Sequence, residues 1–204
     1  KPTGYIVWEL PSCEKYLING DCTMIWEEHV HYFTKFTFRE FLKKERFCIN
    51  SLNLISYPLE DCIVAITQEK YNQKINNANN KGDIDIEIKR AKQYIELVGK
   101  NKVSIPAVLE SASRKYGRIA MFGAGHFTVA FISILGIEHL IDYIIDENPN
   151  KKGRKLPAGN IPIVSSDILH QKNIKLCLLG SNPQSHHKIM DKNKDFINAG
   201  GIFS

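Results

Sequence analysis

The chain lacks several features that mark membrane, secreted or nucleic-acid-binding proteins. It contains no run of about 18 apolar residues that would span a bilayer, and no secretory signal peptide is visible. Its net charge is only +5 across 204 residues, which is too small for the strongly basic surface of a nucleic-acid binder. Neither a membrane nor a nucleic acid is therefore an expected partner.

Paired cysteines are also missing. The five cysteines are an odd number, and no two of them are spaced as Cys-x-x-Cys, which argues against a disulfide framework, a zinc knuckle and a redox pair. His187 and Asp191 would share one face of a helix, but two ligands are too few for a metal site. The sequence predicts a cytoplasmic protein with no bound metal.

The pattern that is present most clearly lies in residues 118–146. An apolar run of strand length, residues 119–122, breaks at Gly123-Ala124-Gly125 and is followed by apolar residues at helical spacing. A second apolar strand, residues 143–145, ends on Asp146. Strand, glycine turn, helix and strand make one βαβ unit, which predicts an α/β fold with a parallel, Rossmann-like sheet.

The glycine turn is a candidate nucleotide site. Gly123 and Gly125 permit a tight turn whose following helix amides would meet an anion. His126 is placed to reach a phosphate, although the sequence favours a surface or capping role for it. Asp146 stands about 20 residues after the glycines, where a carboxylate reads a ribose hydroxyl. The third glycine of the dinucleotide fingerprint is missing, because Thr128, Val129 and Ala130 occupy that region and only Ala130 is small enough to stand in. A sharp turn without any ligand is therefore an equal alternative.

A second set of candidate pocket residues follows a buried strand predicted at residues 174–179. Ser181 and Asn182 come directly after it. Ligands of open α/β sheets bind at the carboxyl ends of the strands, so both are expected at that edge.

The first part of the chain shows a different organisation. A strand is predicted at residues 4–10, a helix begins at a Thr37/Glu40 capping box, and two later strands form an antiparallel hairpin. An Asn- and Lys-rich stretch and two helical pieces, residues 85–97 and 104–116, come next. We therefore divide the chain into residues 1–69, a linker and helical connector at 70–116, and a Rossmann-like domain at 117–204.

Several short motifs keep a common order along the chain. Residues 24–33 read MIWEEHVHYF, and the second half carries Phe122-Gly123-Ala124, Gly136-Ile137, Asp146, Lys151-Lys152-Gly153, Leu156-Pro157-Ala158-Gly159 and Ile161-Pro162-Ile163. Together they resemble S-adenosylmethionine-dependent C-methyltransferases, including those that methylate nucleotide-linked deoxysugars. Trp26 stands in place of the tyrosine in that family's Tyr-x-Glu-His segment, and Phe127 in place of a lysine after the glycine turn.

The resemblance implies a specific architecture. Residues 1–69 would be the truncated C-terminal edge of a class I methyltransferase sheet, whose first four strands and cofactor-binding loop would precede Lys1. S-adenosylmethionine would then bind the full-length protein but not this fragment, which alone would be inactive. The expected partner is a small-molecule substrate such as a nucleotide-linked sugar, and a homo-oligomer is compatible with this interpretation.

The resemblance also implies a mechanism. C-methylation beside a carbonyl needs a base to remove a proton, after which the enolate attacks the methyl sulfonium. His29 is the implied base and Glu28 its partner or a substrate contact, because a carboxylate-oriented histidine suits proton abstraction near neutral pH. Trp26 would line the substrate site. On a strand, His31 would share a face with His29. The residues alone favour a polar turn before the helix at Thr37, and only the resemblance makes the catalytic interpretation an equal alternative.

Two other functions remain open from the sequence. One is a binding or regulatory module that holds a nucleotide at the glycine turn and catalyses nothing. The other is a nicotinamide-dependent oxidoreductase, against which the catalytic Tyr-x-x-x-Lys pattern is missing, because Tyr143 has Glu147 at that spacing.

Overall fold

The computed structural model describes residues 4–25, 29–58, 60–69 and 81–204. The chain divides into two compact units, Lys1–Asp21 with Glu27–Leu97 and Cys22–Trp26 with Val98–Ser204. Each unit has its own sheet. The predicted division placed a separate connector at 70–116, whereas the boundary between the units falls inside one helix.

The first unit is built on a three-stranded antiparallel sheet. The strand order is β1-β3-β2, so the last strand lies between the other two. The predicted β2–β3 hairpin is confirmed. The elements that lie wholly in this unit are β1 (Ile6–Ser12), α1 (Glu14–Asn19), α2 (Lys35–Lys44), β2 (Phe47–Ile55) and β3 (Asp61–Glu69).

Helix α2 closes one face of this sheet. Thr34 caps its N-terminus, and the Thr34 and Thr37 side chains each accept from the other residue's backbone amide. The predicted Thr37/Glu40 capping box is therefore wrong by three residues, because Thr37 fills the third helical position rather than the cap. Phe38 and Leu42 are fully buried against the sheet, which is the apolar face that fixes the helix there.

Helix α3 (Lys81–Tyr116) is a single helix of 36 residues. The prediction of two helical pieces is wrong, because the helix continues through the polar residues around Gly99. Pro106 lies inside it and deprives one carbonyl of its helical hydrogen bond, which the rest of so long a helix tolerates. Val98, Ile105 and Leu109 pack on the core of the second unit.

The second unit is a five-stranded parallel sheet with the strand order β6-β5-β4-β7-β8. The chain moves outward on one side of β4 and then returns to the other side, which is the doubly wound Rossmann order. The predicted α/β Rossmann-like fold is confirmed. Its elements are β4 (Ile119–Phe122), α4 (His126–Leu135), β5 (Tyr143–Ile145), β6 (Ile163–Val164), α5 (Ile168–Gln171), β7 (Leu176–Leu179), α6 (His186–Lys192), α7 (Lys194–Asn198) and β8 (Ile202–Phe203).

Both faces of this parallel sheet are covered, as a doubly wound fold requires. Ile119 and Met121 point into a cluster with Ile132 of α4. Ala120 and Cys177 point into the opposite cluster, which is closed by other helices. Burial in this second cluster raises the pKa of the Cys177 thiol to about 12. In the described part of the chain, no helix has both the length and the apolar character needed to cross a bilayer.

Candidate functional site

The turn between β4 and α4 lies against the turn that follows β7. Gly123 has φ +105°, and a methyl group added there would lie 3.2 Å from the Gly180 carbonyl oxygen. The Gly180 amide donates to the Phe122 carbonyl at 2.9 Å. The predicted need for glycine at position 123 therefore has two causes, a left-handed backbone and the close approach of a second loop.

Thr128 explains why the third glycine of the fingerprint is missing. Its hydroxyl donates to the Gly123 carbonyl and lies 3.3 Å from the Gly180 carbonyl. The side chain is fully buried. A hydroxyl at this position fastens the two turns together, which a glycine would not do.

The Asp146 carboxylate holds the glycine turn from the other side. One oxygen accepts from the Ala124 amide at 2.9 Å and from Lys151 Nζ at 3.1 Å, and the other accepts from the Asn148 amide at 2.9 Å. Burial raises the pKa of this carboxyl, but the amides of Asn148 and Ala124 and the Lys151 ammonium outweigh burial and hold the pKa below its ordinary value. A ribose hydroxyl would have to share Asp146 with these donors.

Lys151 is a site residue that the sequence did not single out. It entered the sequence analysis only as part of the Lys151-Lys152-Gly153 motif, yet its Nζ also donates to the Ala124 carbonyl at 2.9 Å. The next residue, Lys152, pairs with Glu147 at 3.0 Å. The signal that could have identified Lys151 is its place five residues after the acid that ends β5.

Helix α4 begins on backbone alone. Gly125 is its N-cap, with φ −113° and ψ −178° and no side-chain hydrogen bond. Because no side chain caps it, the start of this helix keeps backbone amides that can donate to an anion. His126 is the first residue of this helix and is half-buried.

The loop after β7 brings one of its two predicted residues into this site. The Ser181 Cβ lies 3.4 Å from the position of a methyl group on Gly123, and its buried hydroxyl has no hydrogen-bond partner among the described residues. Asn182 is exposed and instead caps a short 3₁₀ turn by accepting from the Gln184 amide at 3.0 Å. Ser181 thus lies next to the glycine turn, and Asn182 fixes the loop that carries it.

The His29 segment belongs to the first unit and approaches the carboxyl end of β1. Four residues after His29, the Phe33 carbonyl accepts from the Cys13 amide at 2.9 Å, and Phe33 forms a parallel bridge with Ser12. His29 is exposed, and its ring lies 5.8 Å from that of Tyr32. Residues 29–32 form no strand, so the expectation that His29 and His31 share a strand face is wrong. Trp26 and Glu28 lie outside the described residues.

The described residues contain no group of three or more His, Cys, Asp or Glu side chains that could hold a metal ion. Asp191 instead pairs with Lys194 at 3.2 Å. Tyr143 stands at the amino end of β5, the end opposite the glycine turn, where its hydroxyl accepts from Arg118 at 3.1 Å.

A family model matches most of this chain. The family model described as the C-methyltransferase C-terminal domain matches residues 66–204, which is more than half of the chain and includes the whole parallel sheet. A search of curated proteins finds no match.

Proposed function

Because the chain belongs to the C-methyltransferase C-terminal domain family, we propose that it is the C-terminal portion of an S-adenosylmethionine-dependent C-methyltransferase that acts on a sugar nucleotide or another small acceptor. The family match carries this proposal. In it, the chain shapes the acceptor site, and the methyl donor is held by a part of the enzyme that precedes Lys1.

The open edge of β1 supports this arrangement. Among the described strands β1 pairs with β3 alone, and its other edge carries only the single bridge from Ser12 to Phe33. The exposed fractions of Val7 in this strand and of Tyr5 just before it are 68% and 64%. Edge strands with exposed apolar side chains are usually covered or paired. Further strands of a methyltransferase sheet would pair along this edge and extend the sheet toward a cofactor site.

S-adenosylmethionine itself does not fit the described residues. The described residues of the first unit form an antiparallel sheet and include no strand, glycine turn and helix in succession. In the second unit, the acid beside the glycine turn is already bound to Lys151 and Ala124. The cofactor would supply the electrophilic methyl group from its own site.

The residue proposed to act on the acceptor is His29. Its exposed ring lies on the segment that ends at the carboxyl end of β1. In the proposed full methyltransferase sheet, with parallel strands added beside β1, this end would belong to the edge at which ligands of open α/β sheets bind. There the imidazole would take the proton from the carbon beside the acceptor carbonyl. Glu28 would orient the imidazole or contact the substrate, and Trp26 would form part of the wall.

Proton exchange tests this role apart from methyl transfer. The intact methyltransferase, incubated in D2O with a nucleotide-linked keto sugar and no methyl donor, is expected to exchange the proton beside the carbonyl. His29→Ala should slow both proton exchange and turnover by about 100-fold. The matched control, His31→Ala, should slow both rates much less than His29→Ala does. Exchange that survives His29→Ala unchanged would remove His29 from the mechanism.

A second candidate function is a nucleotide-binding module without catalysis. It is favoured by one observation, the backbone cap of Gly125 at the start of α4 beside the Rossmann switch point. In this function Gly123, His126 and Ser181 would contact the nucleotide. This second function would be favoured if the chain binds a nucleotide but no methyl transfer is detected in its presence. A nicotinamide-dependent oxidoreductase has no comparable observation, because Tyr143 lies at the wrong end of β5.

A further inference from the structure

Helix α3 turns its polar side toward the first unit. Asp83 pairs with Arg39 at 3.2 Å, and Glu87 pairs with Arg90 at 2.6 Å with only 15% and 21% of the two side chains exposed. Tyr94 donates to the Asp21 carbonyl on the same side at 3.4 Å. The side of a helix that faces its own domain is usually apolar. In this part of α3 the usual distribution of polar and apolar residues is therefore reversed.

The apolar residues of the same segment face solvent. The exposed fractions of Ile84, Ile88 and Ile95 are 50%, 48% and 70%, and Ala91 between them is also exposed. Their spacing of four, three and four residues places them in one stripe, which is the seam of a coiled coil. Scattered apolar residues on a surface need no explanation, but a continuous seam is typical of a helix that packs on another helix.

Two side chains of opposite charge lie beside this seam, both on the same side of it. Asp85 and Lys92 are both exposed and lie on the same outer side of the stripe, seven residues apart. Within the described part of the chain neither forms an ion pair. Because they are two turns apart on one helix, they do not reach each other, and each is available to a group across the seam.

These charges fit a second copy in the antiparallel direction. If Ile84 packs against Ile95 of the second copy, Ile88 packs against its Ala91, and Asp85 then lies opposite its Lys92. The two-fold axis repeats the same pair on the other side, so one alignment gives two complementary ion pairs. A parallel alignment would place Glu87 opposite Lys92, but Glu87 is already bound to Arg90.

We propose that residues 84–95 of α3 form a two-fold, antiparallel helix-to-helix interface between two copies of this chain. The interface is isologous, since each copy contributes the same patch. The segment is roughly 17 Å long. Two helices that pack over so short a length bury less surface than stable interfaces do, which bury about 1,200 Å² or more. The dimer is therefore weak and depends on concentration. The proposal does not rest on the methyltransferase assignment.

Sedimentation equilibrium of this chain over a range reaching roughly 500 µM tests the seam. We expect a monomer–dimer equilibrium, and Ile88→Ser should weaken it by at least about tenfold. Ile86→Ser is the matched control, because Ile86 is 57% exposed on the same helix but lies on the side away from the seam. A chain that stays monomeric, or equal effects of the two serine variants, would overturn the proposal.

A charge exchange tests the alignment. Asp85→Lys and Lys92→Asp should each weaken the dimer by bringing like charges together, and the double variant should recover most of the wild-type association. Both positions are exposed, so folding should be retained, which circular dichroism verifies. If the double variant is no better than the single ones, the antiparallel alignment is wrong.

Discussion

The ammonium group of Lys151 lies 3.1 Å from the Asp146 carboxylate and 2.9 Å from the Ala124 carbonyl oxygen. It thereby connects the acid that ends β5 to the turn that ends β4. The Ala124 amide completes this arrangement by donating to the same carboxylate. The glycine turn is held in place by a side chain from a neighbouring loop as well as by its own backbone.

Removal of this ammonium group should loosen the turn. We expect Lys151→Met to lower the free energy of unfolding by about 1–2 kcal/mol, a value kept modest because 39% of the Lys151 side chain is exposed. Urea denaturation measures it. Lys152→Met is the matched control, since 37% of the Lys152 side chain is exposed but its partner Glu147 is itself 46% exposed, and it should change stability by less than about 0.5 kcal/mol. Equal losses would show that Lys151 has no special part in the turn.

Acid should weaken the same contact. The folded pKa of Asp146 lies below its ordinary value, so the stabilisation is present above the unfolded pKa and is lost as the pH falls through the folded pKa. We expect the free energy of unfolding to fall once the pH drops below roughly 4. Asp146→Asn should be less stable than the wild type at pH 7, and the gap should shrink toward pH 3. If the difference in free energy of unfolding between the two proteins is constant from pH 7 to pH 3, the ionised Asp146 carboxylate does not stabilise the turn.

Two glycines should respond in opposite directions to alanine. Gly123→Ala should destabilise the protein by about 1–3 kcal/mol, because φ is +105° and the Gly180 carbonyl lies 3.2 Å from the new methyl group. Gly99→Ala, inside α3 with nothing within 4 Å, should stabilise it by about 0.5–1 kcal/mol. Thermal or urea unfolding of both variants measures the difference, and a stabilised Gly123→Ala would mean that the turn adopts another conformation.

The sequence predicted those parts of the fold whose signal is local. The apolar runs of β4 and β5 and the glycines between β4 and α4 were sufficient for the βαβ unit, and the alternating strands were sufficient for the hairpin. Helix α3 was predicted as two pieces because the residues around Gly99 have no apolar period. Pro106 lies near the start of the second predicted piece, residues 104–116, where a proline is compatible with a new helix. The helix continues there because packing of Val98 and Leu109 outweighs local propensity.

The site was predictable only in part, because its contacts join residues distant in sequence. The role of Thr128 depends on Gly180, which is 52 residues away, and that of Lys151 depends on Ala124, which is 27 residues away. Neither of these two contacts can be predicted from the sequence of either segment alone. The functional assignment of His29 followed from resemblance to a family, and its geometry adds a position near the carboxyl end of β1.

Methyl transfer from S-adenosylmethionine labelled with 13C in its methyl group tests the central claim most directly. The acceptor is a nucleotide-linked keto sugar, and the product is analysed by NMR. We expect the intact methyltransferase to form a carbon-bound methyl group with 13C–13C coupling on a labelled ring, and this chain alone to form no methylated product. A label found on oxygen, or transfer catalysed by this chain alone, would contradict the account.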